Sequence, residues 1–276
     1  MNKKVLAAAI AAAMVAPVAQ ADLKISGRVA MELVSEDGNI NARDYGNQRL
    51  QLDWADESGF MGRVALDMRQ TKFESSTGGS ELRDYYTGYK GGFGTLMAGR
   101  LAGAGKNIEG DMYVGTFLEL RNAFVKGGSA GYGSSGFINN MIEYNNKFGD
   151  SVVKLQYNPT DNGGAKGDLG ASIKAKLAGA GVFAAYNNQG DTNTYWKVGG
   201  NMKFGEINTR LVYENDDGQA EAASWVLGAD MGFGNGWTGT VDYSDKGELR
   251  TESAYRVGVY KKFSKKAHMW AGYTQN

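Results

Sequence analysis

Apolar and polar residues alternate along almost the whole chain after residue 21, and this period of two limits the possible folds more than any other feature. In "DLKISGRVAMEL" (22–33), Leu23, Ile25, Val29 and Met31 share one face, while Lys24, Ser26, Arg28 and Glu32 share the other. In "YWKVGGNMKF" (195–204), Trp196, Val198, Met202 and Phe204 oppose Tyr195, Lys197, Asn201 and Lys203. In "SWVLGADMGF" (224–233), Trp225, Leu227, Ala229, Met231 and Phe233 oppose Ser224 and Asp230. Successive side chains of a strand point to opposite faces, so each stretch has one oily face and one polar face.

A half-buried sheet in water alternates in the same way. Three features separate a membrane barrel from it. Tight turns such as "GE" (205–206) and "GNG" (234–236) alternate with long polar loops such as "NPTDNGGAKGD", as in outer-membrane barrels. Tyr157, Tyr186, Tyr213, Tyr243 and Tyr273 close successive upward strands at spacings of 29, 27, 30 and 30 residues. Trp196 and Trp225 begin downward strands at the same level, and Phe204, Phe233 and Trp237 lie at the opposite ends. Two such levels form the aromatic girdles of a membrane protein. Finally, Lys, Arg, Gln, Asn and Asp line the polar face; a dry core would leave them desolvated at several kcal/mol each, and a water-filled lumen would not.

The pattern predicts an all-β fold, a transmembrane antiparallel β-barrel, with strands near 22–34, 46–56, 60–70, 81–91, 94–101, 136–147, 151–158, 168–177, 181–187, 194–204, 206–214, 223–233, 237–244, 253–262 and 267–274. That is fifteen, in one domain spanning 22–276, because no linker or composition break divides the chain.

The start, "MNKKVLAAAIAAAMVAPVAQA", has Lys3 and Lys4, an apolar run from Val5 to Val15 and the small-x-small site Ala19-Gln20-Ala21. This reads as a signal peptide over residues 1–21. The run is too short to span ~30 Å of hydrocarbon, and no other stretch approaches 18 apolar residues. Cleavage after Ala21 removes two lysines and leaves a net charge of −2. A chain this close to neutral carries no global argument for a nucleic-acid partner. With 0 Cys there is no disulfide framework and no thiolate metal site.

One connection breaks the hairpin rhythm. Loop 102–135 contains apolar residues (Met112, Tyr113, Val114, Phe117, Leu118, Leu120, Phe124) and the acids Glu109, Asp111 and Glu119. Loops of this length are usually functional or disordered. We read it as folding inward to narrow the channel; an exposed surface loop is the alternative. Arg28, Arg49, Arg63, Arg83 and Arg100 on the polar face of the first five strands are the candidates to oppose it. Acids facing bases across an aqueous gap tune ion selectivity.

The sequence resembles the Gram-negative general porins over essentially the whole mature chain. The residues that carry the likeness are "DLKISGRV" at the mature start, "RDYYTGYKGGFGTLMAGR" (83–100), "NNMIEYNNKFG" (139–149) and "FSKKAHMWAGYT" (263–274). The resemblance implies a sixteen-stranded barrel of the porin type, homotrimeric, in the outer membrane and in contact with its lipid. It also implies a third loop folded into the lumen whose acids (Glu109, Asp111, Glu119) face an arginine cluster (Arg28, Arg49, Arg63, Arg83, Arg100). Two departures stand out. Phe137 occupies a place where the family often has a base, and the chain ends in Asn276 where the family usually ends in an aromatic residue. "YTQN" matches "YNPT", "YNNQ", "YEND" and "YSDK", each of which opens a loop into a downward strand. The reading is therefore that a closing strand of about ten residues is missing; an edge left open in lipid costs several kcal/mol per unpaired group. Parallel closure of the first and last strands is the alternative.

The expected function is passive diffusion of ions and small hydrophilic solutes. It needs no catalytic residue, no cofactor and no metal. A His-dependent hydrolase would have to use His268, the sole His, which lies beside a tight turn with no evident nucleophile nearby. A substrate-specific channel differs only in its lining. A secreted soluble β-sandwich binding protein or adhesin would purify without detergent.

Overall fold

The computed structural model describes residues 22–43, 48–68, 82–113, 116–120, 137–159, 168–189, 193–216, 223–245 and 253–275. The leader, and the loop's Val114 and Phe124, lie outside these. The chain divides into two compact units, one up to Gly99 and one from Arg100 onward.

The first unit holds β1 (Asp22–Arg28), β2 (Glu32–Glu36), β3 (Asn39–Arg43), β4 (Arg49–Ala55), β5 (Phe60–Asp67), β6 (Leu82–Gly91) and most of β7 (Gly94–Ala102). β1, β4, β5 and β6 pair in that order, all antiparallel. The stretch 22–34, expected as one strand, is broken after Arg28. There the Gln48 amide bonds the backbone of Ala30 on both sides, donating to its carbonyl and accepting from its N–H at 3.2 Å. A side chain thus replaces a strand neighbour where the ladder stops, and the backbone polar groups stay satisfied. β2 and β3 then pair only with each other, around Asp37 (φ 50°) and Gly38 (φ 78°), the residue pair a tight hairpin favours.

The second unit continues with β8 (Phe137–Phe148), β9 (Ser151–Asn158), β10 (Asp168–Leu177), β11 (Ala180–Gln189) and β12 (Asn193–Phe204). It ends with β13 (Ile207–Asp216), β14 (Ser224–Gly234), β15 (Trp237–Asp245), β16 (Ala254–Lys262) and β17 (His268–Gln275). Each pairs antiparallel with its sequence neighbours. All fourteen expected strands after the first are found, with ends shifted by at most three residues. β1 is hydrogen-bonded along one edge, to β4, and β17 along one edge, to β16.

The two faces of the second unit differ as the alternation requires. One exposes a continuous apolar surface that includes Leu155, Leu169, Leu211, Leu227, Val241 and Val257, each at least 50% exposed. A contiguous patch of this extent marks contact with a membrane or a partner. Its upper margin is aromatic: Tyr186 registers with Trp196, Tyr213 with Trp225 and Tyr243 with Tyr255. Ring centroids lie 5.1 Å apart for Trp196–Tyr213, 5.4 Å for Trp225–Tyr243 and 5.7 Å for Tyr255–Tyr273. The other margin carries exposed Phe148, Phe204, Phe233 and Trp237. The two girdles are thus one strand length apart.

The opposite face is where the core lies. Ile108 and Leu120 of the long connection pack on Phe183, Ala185, Val212 and Val226 of β11, β13 and β14. The connection therefore covers an apolar seat within an otherwise polar wall.

Candidate functional site

Two groups of charged side chains occupy the polar faces, one in each unit. In the first, the strand register sets Arg28 opposite Arg49, Arg49 opposite Asp67, and Asp53 between Lys24 and Arg63. Arg63 Nε lies 2.6 Å from Asp53 Oδ1, and its Nη1 lies 3.7 Å from Asp84. Arg83 reaches the same Asp84 at 3.7 Å. Arg83 stands at a register shift between Ala65 and Leu66, which turns it out of simple alternation; a bulge re-aims a side chain in this way. Arg63 also lies over the Tyr86 ring, 5.6 Å from its centroid. The Arg63 and Asp53 side chains are half-buried, keeping 31% and 24% of their surface, while the shared Asp84 is buried.

The second group clamps the long connection. The segment after β7 is a run of tight turns, with Lys106 N bonded to Gly103 O, Gly110 N to Asn107 O and Thr116 N to Tyr113 O. Asp111 organises it. One carboxylate oxygen accepts from Tyr113 N at 3.2 Å and the other from Leu120 N at 2.6 Å. Arg256 of β16 donates to the same carboxylate at 3.2 Å and also to Leu118 O. Arg256 in turn bonds Asp242, which accepts from Arg210 at 2.7 Å; Arg210 reaches Asp230 at 2.6 Å. A chain of alternating charge therefore crosses four strands before it meets the loop.

A second clamp uses Glu109. Lys197 Nζ lies 3.2 Å from Glu109 Oε2 and 3.5 Å from Glu214 Oε2, and Tyr195 Oη donates to Glu214 at 2.8 Å. The Lys197, Glu109 and Glu214 side chains are 0%, 3% and 1% exposed. Glycines make the room: a Cβ on Gly258 would come 2.8 Å from Tyr113 Oη and 3.3 Å from Leu118 Cδ1. Burial pushes the Tyr113 phenol above its ordinary range.

Of the residues singled out in the sequence, Arg28, Arg49, Arg63 and Arg83 form the group of the first unit. Arg100 lies in β7 and donates to Asn139 of β8 at 2.7 Å. Glu109 and Asp111 contact Lys197 and Arg256, and Glu119 is buried in the same loop. The sequence reading missed Lys197, Arg210, Glu214, Asp230, Asp242 and Arg256. Their signal was present: all sit on polar-face positions of strands whose registers bring opposite charges together.

A family model for Gram-negative porins matches residues 7–276. The chain belongs to this family, that of the outer-membrane channels. The fold agrees. The chain is similar to an anion-selective porin from Comamonas acidovorans at TM-score 0.68 and 15% identity, covering 92% of this chain and 88% of that one. It is similar to OmpF of Salmonella typhi, solved with daunomycin, at TM-score 0.68 and 14% identity, covering 93% and 90%. OmpT of Vibrio cholerae, in its trimer form, matches at TM-score 0.67 and 17% identity, covering 92% and 88%. No curated protein sequence matches the chain. Membership places this porin in the outer membrane.

Proposed function

We propose that this porin passes ions and small hydrophilic solutes by passive diffusion, as a homotrimer, after removal of residues 1–21. Its narrowest point is formed by loop 102–135 and the basic wall residues Arg28, Arg49, Arg63, Arg83 and Arg100, with Glu109, Asp111 and Glu119 supplying the loop's charge. The observation that carries this reading is the docking of the loop on the polar face. Buried pairs to Lys197 and Arg256 anchor it there, while the apolar face with its two aromatic margins is left for lipid. A loop lying free outside the strands would have no use for two desolvated ion pairs.

Planar-bilayer recordings test the proposal. The refolded protein should give discrete conductance steps with an ohmic current. Arg49→Ala should move the reversal potential in a salt gradient toward cations. Asp111→Ala leaves Arg256 without its loop carboxylate and should move it toward anions. Parent-like behaviour of both variants removes these residues from the constriction, and the absence of any step removes the channel.

A further inference from the structure

On the face that carries the loop, most charged side chains are buried in pairs of opposite sign, and a few lysines are left outside them. Among the described side chains of the second unit's strands, Glu143, Glu214, Asp230 and Asp242 are buried and engaged on this face. Glu143 is 3% exposed and holds Lys154 at 3.2 Å; Glu214, Asp230 and Asp242 are bound by Lys197, Arg210 and Arg256. Lys197 is buried among them, but four other lysines are not. Lys147, Lys174 and Lys176 are exposed, and the Lys154 side chain keeps 28% of its surface. The exposed acids Asp150 and Glu206 sit in turns at the strand ends.

The four lysines are neighbours. Val152 of β9 registers with both Lys147 of β8 and Lys174 of β10. Lys154 is two residues on from Val152, so it lies diagonal to both, about 7–8 Å between backbones. Lys176 follows Lys174 on the same face of β10. Among the described residues, no carboxylate lies within ion-pair distance of Lys147, Lys174 or Lys176. Glu109 is held by Lys197 at 3.2 Å. Like charges this close repel one another. A mobile anion of charge two or more offsets that repulsion better than chloride, because it meets several ammonium groups at once.

We infer that Lys147, Lys154, Lys174 and Lys176 form an anion-binding patch on the channel wall near the tight-turn end of β8–β10, selective for small multiply charged anions of the phosphate type. This rests on the diffusion-channel reading.

The test compares the parent with Lys147→Gln/Lys174→Gln/Lys176→Gln and with the matching triple arginine variant, all refolded into planar bilayers in potassium chloride with inorganic phosphate as the probe. The parent should prefer anions and show a phosphate-dependent fall in chloride current. The glutamine variant should conduct but need about tenfold more phosphate for the same fall, the loss expected from three exposed ion-pair contacts. The arginine variant should keep the parent's response. A glutamine variant with the parent's reversal potential and phosphate response overturns the patch and leaves the channel standing. An arginine variant that behaves like the glutamine one overturns the charge basis. A parent without conductance overturns the channel and the patch with it.

Discussion

The polar faces of the two units use the same chemistry, basic side chains against carboxylates, at different depths of burial. Arg63 and Asp53 keep 31% and 24% of their surface; Lys197 and Glu109 keep 0% and 3%. An exposed pair in high dielectric is worth little to stability, but its charge is felt by passing ions. A desolvated pair acts little on solutes, and breaking one partner is expensive because the other charge is stranded. The difference teaches that charge on a channel wall is not one property. In the first unit the Arg63–Asp53 pair stays partly solvated, and in the second most of the charge is spent on holding a loop.

The sharpest way to break this comparison is Lys197→Met, which strands Glu109 and Glu214 without their cation. It should cost about 3–5 kcal/mol, seen as a lower thermal midpoint in detergent, and should release the loop so that single-channel conductance rises. If the midpoint and the conductance stay at parent values, the buried cluster is not a clamp. Gly258→Leu attacks the same docking by volume. Its side chain would collide with Tyr113 and Leu118, and overpacking of this kind costs about 1–3 kcal/mol. Because loop side chains are what it meets, conductance should change more than sheet stability; unaltered conductance would show that the loop does not rest there.

On the other side of the comparison, Arg63→Gln should cost less than about 1 kcal/mol yet shift the reversal potential toward cations. A large stability loss with no shift would put Arg63 in the structural class with Lys197. The smallest effect belongs to a turn outside the strands. The Ser58 hydroxyl donates to Asp56 Oδ1 at 2.6 Å and the Phe60 N–H to the same oxygen at 2.9 Å; the Ser58 bond first, and then the backbone N–H groups, hold the Asp56 carboxyl below its ordinary range. A carboxyl depressed in the folded state adds stability above its unfolded pKa and loses it as pH falls through the folded value. Ser58→Ala should therefore trim stability slightly at neutral pH and flatten its acid dependence, with no change below both values. An equal loss at acid and neutral pH would show that the bond does not act through ionisation.

The strand positions were legible in the sequence because each residue's face depends only on its parity, and tyrosines at 27–30 residue spacing marked one membrane level. The first strand was the exception. Nothing local in "GRVAMEL" signals that Gln48, eighteen residues on, caps the ladder at Ala30. The site was half legible. The loop's length, its acids and its apolar residues point to an inward fold, but alternation alone does not say which strands' cations meet those acids. The residues that hold Glu109 and Asp111 come from β12 and β16, 88 and 145 positions away.

By itself, then, the sequence determined the faces, the turns and the girdles, since backbone geometry translates a two-residue period directly into inside and outside. Tertiary structure alone decided which carboxylate meets which cation, and hence which charges are buried and which stay wet. Desolvation depends on what lies across the gap, and the loop and the wall that enclose Lys197 and Arg256 come together only when the sheet has formed.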